Sequence, residues 1–186
     1  MASLTIATEN QIASNWCWSA TGTSIANYYE GEGAWNQCKL AMKVFAKNDC
    51  CTATPVIGPF GRQTSWNITV NDAYNKAQPG DAALKATGHY QTSGPYKQKI
   101  SFSMVKQEID GSRPILIALE YSGLLISGGH AVIITGYNDT DHSNPTIEVR
   151  DPDPWVRNST CDFNEFPESY SWLHNTSFAN YLLTKK

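Results

Sequence analysis

Between residues 16 and 29 the apolar positions Trp18, Gly22, Ile25 and Tyr29 return at a helical interval, with Ser14 or Asn15 available to cap the start. The pattern predicts a helix that begins at Cys17 and ends in the turn 30–33, where two glycines stand within four residues. Leu40, Met42, Val44 and Phe45 give a second apolar face, predicting a helix over 35–45. The next stretch, 48–95, is rich in Gly, Pro, Asn and Thr and reads mostly as loop, with short helices near 70–77 and 81–86. A loop of that length needs tying down, and cystines are the expected staples. From 103 the pattern changes. A short helix over 103–109 ends at Asp110-Gly111, and compact apolar or alternating runs at 115–119, 130–134 and 146–149 predict antiparallel strands. The aromatic-rich segment 170–183 closes the sheet as a last strand. Helices first and strands afterwards read as an α+β fold, with residues 1–95 mainly helical and 96–186 mainly β.

Length changes this picture little: 186 residues fit a single domain spanning 1–186, with enough chain to bury a core. A net charge of -3 with no run of Lys or Arg argues against nucleic acid as a partner. The longest apolar run, 114–119, is far too short to cross a bilayer, which argues against a membrane role. Residues 1–3 lead straight into polar sequence without a signal-peptide pattern, so the protein is either cytosolic or has lost a leader.

Cysteine usage favours the second. Five cysteines, Cys17, Cys38, Cys50, Cys51 and Cys161, suit two bridges among the last four and one free reactive thiol, Cys17. The adjacent Cys50 and Cys51 then need different partners. A zinc site built from the same four lacks the C-x2-C spacing that brings two thiolates to one metal. The expectation is therefore a secreted, disulfide-bonded protein without metal. Sequons at Asn67, Asn138, Asn158 and Asn175 would permit glycosylation in a eukaryotic secretory pathway.

Placed at a helix start, Cys17 has the unpaired N–H groups of the first turn to favour its thiolate. Read alone it is a small core residue between two tryptophans; its neighbours change that reading. Gln11, six residues upstream, can reach back to donate an amide N–H beside the Cys17 backbone N–H, forming an oxyanion hole. His130 follows Gly128-Gly129 at the mouth of the apolar strand and can meet the thiol as its base. His89, His142 and His174 lie in polar, loop-like surroundings. The imidazole needs a group to fix its tautomer, and Asp151 and Asp153 compete for that role. Ile147 and Val149 mark the inward face of their strand, Asp151 is next in parity, and the prolines around Asp153 take the chain out of the sheet, so Asp151 is preferred.

Taken together, Gln11-x5-Cys17-Trp18 and His130-Ala131-Val132-x3-Gly136-Tyr137 resemble the two signature segments of papain-like cysteine peptidases, in the order Gln, Cys, His, Asn or Asp. The resemblance is nearest to the short bacterial secreted or effector-type branch, with its Trp-Cys-Trp and a following Cys-Cys pair like Cys50-Cys51. Plant and lysosomal members carry Cys-Gly-Ser-Cys-Trp where this chain has Ser14-Asn15-Trp16-Cys17-Trp18, which places the bulky Trp16 beside the nucleophile, and Asp151 replaces their Asn. The resemblance implies a helical N-terminal lobe, a twisted antiparallel sheet or half-barrel as C-terminal lobe, and an active site in the cleft between them. It also implies a cysteine endopeptidase that hydrolyses peptide bonds through an acyl-enzyme, without cofactor, acting as a monomer on a protein or peptide substrate. A propeptide or a protein inhibitor is a further expected partner. Two other readings use the same scaffold: an acyltransferase, deamidase or isopeptidase, because the triad sets the acyl-enzyme step and not the acceptor, and a catalytically silent binding protein. Specificity would come from the loops 48–95 and 120–128.

Overall fold

In the computed structural model, which describes residues 1–122, 127–156, 158–168, 170 and 176–186, helix α1 (Cys17–Glu30) starts at Cys17. Every residue from Trp18 to Ala26 on it is buried, so α1 is a central helix enclosed on all sides. Three of its buried hydroxyls find backbone carbonyls: Thr21 Oγ1 donates to Cys17 O at 2.8 Å, Ser24 Oγ to Ala20 O at 2.8 Å and Ser19 Oγ to Gln37 O at 3.1 Å, whereas the buried Thr23 hydroxyl has no partner among the described residues. Gly22 is an approach point rather than a stripe residue, since a Cβ there would lie 2.6 Å from that of Ala83. The expected cap is different. Trp16 occupies the N-cap position with no side-chain cap, because Ser14 and Asn15 are engaged by Asn75, whose Oδ1 accepts from Asn15 N at 3.0 Å and whose Nδ2 donates to Ser14 Oγ at 3.0 Å.

Helix α2 (Gln37–Phe45) starts two residues later than the apolar pattern suggested, because Asn36 caps it by accepting from Lys39 N at 2.8 Å. The segment read as loop contains an antiparallel hairpin, β2 (Cys51–Ile57) with β3 (Gln63–Val70), joined by a single 3₁₀ turn at Pro59–Gly61. The helix expected at 70–77 shrinks to the 3₁₀ turn Asp72–Tyr74. Helix α3 (Gly80–Thr87), strand β4 (Tyr90–Ser93) and helix α4 (Phe102–Asp110), capped by Ser101, complete the front part.

Behind them is one antiparallel sheet. Strands β5 (Ile115–Ser122), β6 (Ser127–Asn138), β7 (Thr146–Arg150), β8 (Ser159–Asp162) and β9 (Thr176–Thr184) assemble with β4 in the order β4-β9-β5-β6-β7-β8. The short β1 (Ala2–Ser3) pairs with β6. Between β6 and β7, Ile133 lies opposite Arg150 and Ile134 opposite Val149, after which a bulge at Thr135 resets the pairing to Gly136 opposite Glu148. One face of the sheet, with Ile117, Val132, Ile134, Ile147 and Val149, packs with Val105 and Ile109 of α4 and with Phe166. On the other, Ile25 of α1 and Leu84 of α3 meet Leu116, Ile133 and Leu182, so α1 rests directly on β6. Trp16, Trp18, Trp35 and Leu40 form a separate apolar cluster among the helices. Helices and antiparallel sheet therefore coexist as the α+β reading requires. Among the described residues no helix is long and apolar enough to cross a membrane. His174 and the sequon residue Asn175 lie outside the described residues, as does 123–126 of the loop expected to set specificity.

Candidate active site

Cys17 is the first residue of α1, half-buried, with a free thiol. With no side chain capping the helix, the partial positive charge of its first turn remains available to an anion at Cys17. Trp16 is fully buried in the apolar cluster among the helices, and its Nε1 donates to Tyr74 O at 2.9 Å.

From the sheet comes the imidazole. His130 lies on β6 and shares strand parity with Val132 and Ile134, while Asp151 follows β7 in the parity of Ile147 and Val149, so the bulge-set register aims both side chains to one face. His130 Nε2 and Asp151 Oδ1 are 2.9 Å apart, and the Cys17 thiol lies near enough to the ring to raise its pKa. With Nε2 committed to Asp151, Nδ1 is the nitrogen left for Cys17. Burial by itself would push the imidazole pKa down, but the hydrogen bonds to Asp151 and Cys17 and their charge outweigh it and raise it to about 10. The ring is thus held as an imidazolium between a carboxylate and a thiol. Gly128, two residues upstream, leaves room for Tyr121, whose Oη would lie 2.4 Å from a Cβ there.

Asp151, not Asp153, is the carboxylate on the histidine. Its side chain is 2% exposed, and besides His130 it accepts from the backbone N–H of Asp153 at 2.7 Å and from the Tyr170 hydroxyl at 2.5 Å. Asp153 instead caps its own turn, accepting from Trp155 N at 2.9 Å. Asn158 holds the backbone N–H of Asp151 through its Oδ1 at 3.2 Å. Tyr170 and, beyond its reading as a sequon, Asn158 were not singled out from the sequence; the Asp-Pro-Asp-Pro turn signals a chain reversal but not which later residues fold back on it.

Gln11 lies on the extended segment before α1, and its amide Nε2 donates to Ser14 O at 3.2 Å. Its backbone N–H donates to Pro152 O at 2.7 Å, which ties the Gln11 segment to the turn that carries Asp151. The other histidines are elsewhere. His89 is buried against Glu30 and the carbonyl of Lys185, and His142 sits in the turn after β6.

The two-bridge expectation needs correction. Cys38 and Cys51 form a disulfide linking α2 to β2, but Cys50 and Cys161 are free thiols. Cys50 is fully buried in the helical cluster and Cys161 is on β8 opposite Ile147, packed against the sheet core, so the two belong to different parts of the molecule. Burial raises the pKa of both, to about 12 for Cys161, which makes them poor nucleophiles. Among the described residues no group of three or more His, Cys, Asp or Glu could hold a metal ion.

No curated protein matches this sequence. A solved structure does: the crystal structure of a Bacillus anthracis protein named as a C39-like peptidase aligns with 100% of this chain and 98% of its own, at a TM-score of 0.55 and 14% identity, a likeness of fold. The model of the Peptidase_C39 like family matches residues 3–178, from β1 into β9 and through every residue of the site. A match over nearly the whole length, carrying the Cys17, His130 and Asp151 arrangement inside it, settles the family: this chain belongs to the Peptidase_C39 like family.

Proposed function

We propose that this chain is a cysteine endopeptidase, with the helices and the sheet as the two lobes of a papain-like unit spanning 1–186 and the scissile peptide lying between them. The observation that carries the reading is the His130 ring held 2.9 Å from the buried Asp151 carboxylate and beside the Cys17 thiol. The Cys17 thiolate attacks the peptide carbonyl carbon, forming a C–S bond and placing negative charge on the oxygen. That oxyanion is received by the Cys17 backbone N–H and by the second N–H of the Gln11 amide, whose first is on Ser14 O. The His130 imidazolium gives its Nδ1 proton to the amine as the C–N bond breaks. The imidazole then takes a proton from water, the resulting hydroxide attacks the thioester carbon, and the C–S bond breaks to return thiolate and imidazolium. Asp151 keeps the ring in this tautomer throughout. The Cys38–Cys51 bridge supports an oxidising, extracellular setting.

The test is a peptide-library digest combined with site-resolved alkylation. The expected result is cleavage that stops when iodoacetamide has modified Cys17. A library left intact by protein whose Cys17 alkylates rapidly would overturn hydrolysis in favour of another use of the thiol.

A further inference from the structure

Asp151 presents its two carboxylate oxygens to different partners. Oδ1 faces His130 Nε2 and the Asp153 backbone N–H, whereas Oδ2 is taken by the Tyr170 hydroxyl at 2.5 Å. A carboxylate restrained at one oxygen can still turn about its Cβ–Cγ bond; a donor on the second fixes that torsion. The tyrosine is itself held, its ring 5.6 Å from the fully buried Phe166 and its backbone N–H on Pro167 O at 3.2 Å. Burial, and then the charge of Asp151, push the Tyr170 phenol above the ordinary tyrosine range, which keeps the hydroxyl protonated as a donor.

We propose that Tyr170 is a positioning residue for the thiol–imidazole pair: its hydroxyl locks the Asp151 carboxylate so that Oδ1 stays on His130 Nε2 and Nδ1 stays aimed at Cys17. This rests on the peptidase reading of the site. It has a geometric consequence: without the hydroxyl the carboxylate can turn away from Nε2, and the ring loses its fixed aim at Cys17.

Because the natural substrate is unidentified, iodoacetamide is the probe, with the rate of Cys17 alkylation followed across pH by peptide-resolved mass spectrometry. Four proteins are compared: wild type, Tyr170→Phe, Asp151→Ala and the double variant. Tyr170→Phe keeps the ring on Phe166 and should slow Cys17 alkylation by about tenfold across the pH series. In the Asp151→Ala background the same change should alter the rate less than about twofold, since Tyr170 acts through Asp151. Equal slowing in both backgrounds makes the hydroxyl merely structural and overturns the proposal. A slowed Asp151→Ala beside a wild-type-like Tyr170→Phe overturns Tyr170 alone. An Asp151→Ala protein that alkylates like wild type at every pH overturns the underlying reading of the triad. Continued protection of the buried Cys50 reports that each variant is folded. Should Tyr170→Phe fail that control, proton NMR of the unaltered protein decides: a slowly exchanging Tyr170 hydroxyl proton is expected, and its absence overturns the proposal.

Discussion

Among the described residues two histidines sit against carboxylates, and one of them also faces a cysteine thiol. His130 contacts Asp151 at 2.9 Å and His89 contacts Glu30 at 3.0 Å, both rings largely shielded from solvent. The difference lies at the other ring nitrogen. In His89 it meets the Lys185 carbonyl at 2.9 Å while the ring stacks on Tyr29 at 4.8 Å, and Lys185 N donates back to His89 O, so the imidazole clips the end of β9 to α1. In His130 it meets a thiol at the uncapped start of a helix. A histidine–carboxylate pair is therefore no signature of a site by itself; what the second nitrogen faces, a backbone carbonyl or a thiol, is what sets the two pairs apart.

The sharpest way to break this comparison is Cys17→Ala, which should remove all peptidase activity and leave the far-UV circular dichroism unchanged, because burial raises the pKa of the remaining free thiols, Cys50 and Cys161; residual turnover would sink the mechanism. Next comes Asp151→Ala. It should lower kcat by about one to three orders of magnitude with KM little changed, since the thiolate–imidazolium pair still forms but is poorly aligned. His89→Ala should do the reverse, leaving kcat/KM nearly unchanged while costing about 1–3 kcal/mol of stability in a urea titration. A pH series separates the two further. The folded pKa of His130, about 10, lies above its ordinary 6.5, so its contribution to stability is complete below about pH 6.5 and is lost as pH rises through 10. The melting temperature should accordingly fall between pH 7 and 10, and fall less in His130→Ala. Smallest of all is Asp153→Ala, which should change kcat/KM by less than about threefold, because the contact of Asp153 to Asp151 is made by its backbone.

Local signals carried the parts of the fold that are local. Helical spacing and the turn at 30–33 placed α1, and strand parity placed Asp151 ahead of Asp153, because a period of two extends past the strand end for one residue before proline breaks it. The β2–β3 hairpin was missed although Trp66, Ile68 and Val70 alternate, since Pro55 and the Gly58–Gly61 region weigh toward loop and most of its side chains face solvent. Ser14 and Asn15 were reasonable caps by chemistry, but a partner some 60 residues away in sequence, Asn75, competes for both. The cysteine pairing failed for the same reason. An even count permits two bridges, yet whether Cys50 and Cys161 approach each other depends on how distant segments pack, which no spacing rule encodes. Tyr170, nineteen residues beyond Asp151, reaches it only through the chain reversal after β8.

The bulge at Thr135 has an evolutionary corollary. It fixes β6 against β7 in steps of two residues, and a one-residue slip would present Arg150 to His130 in place of Asp151, reversing the sign of the neighbouring charge. Tolerance to insertion and deletion should be divided sharply along this hairpin: the connection 139–145 can lengthen or shorten among relatives, whereas a single residue gained or lost within 131–150 outside that connection removes the pairing on which the imidazole depends. Away from His130 and Asp151 themselves, variation in length is the kind of drift this hairpin cannot absorb.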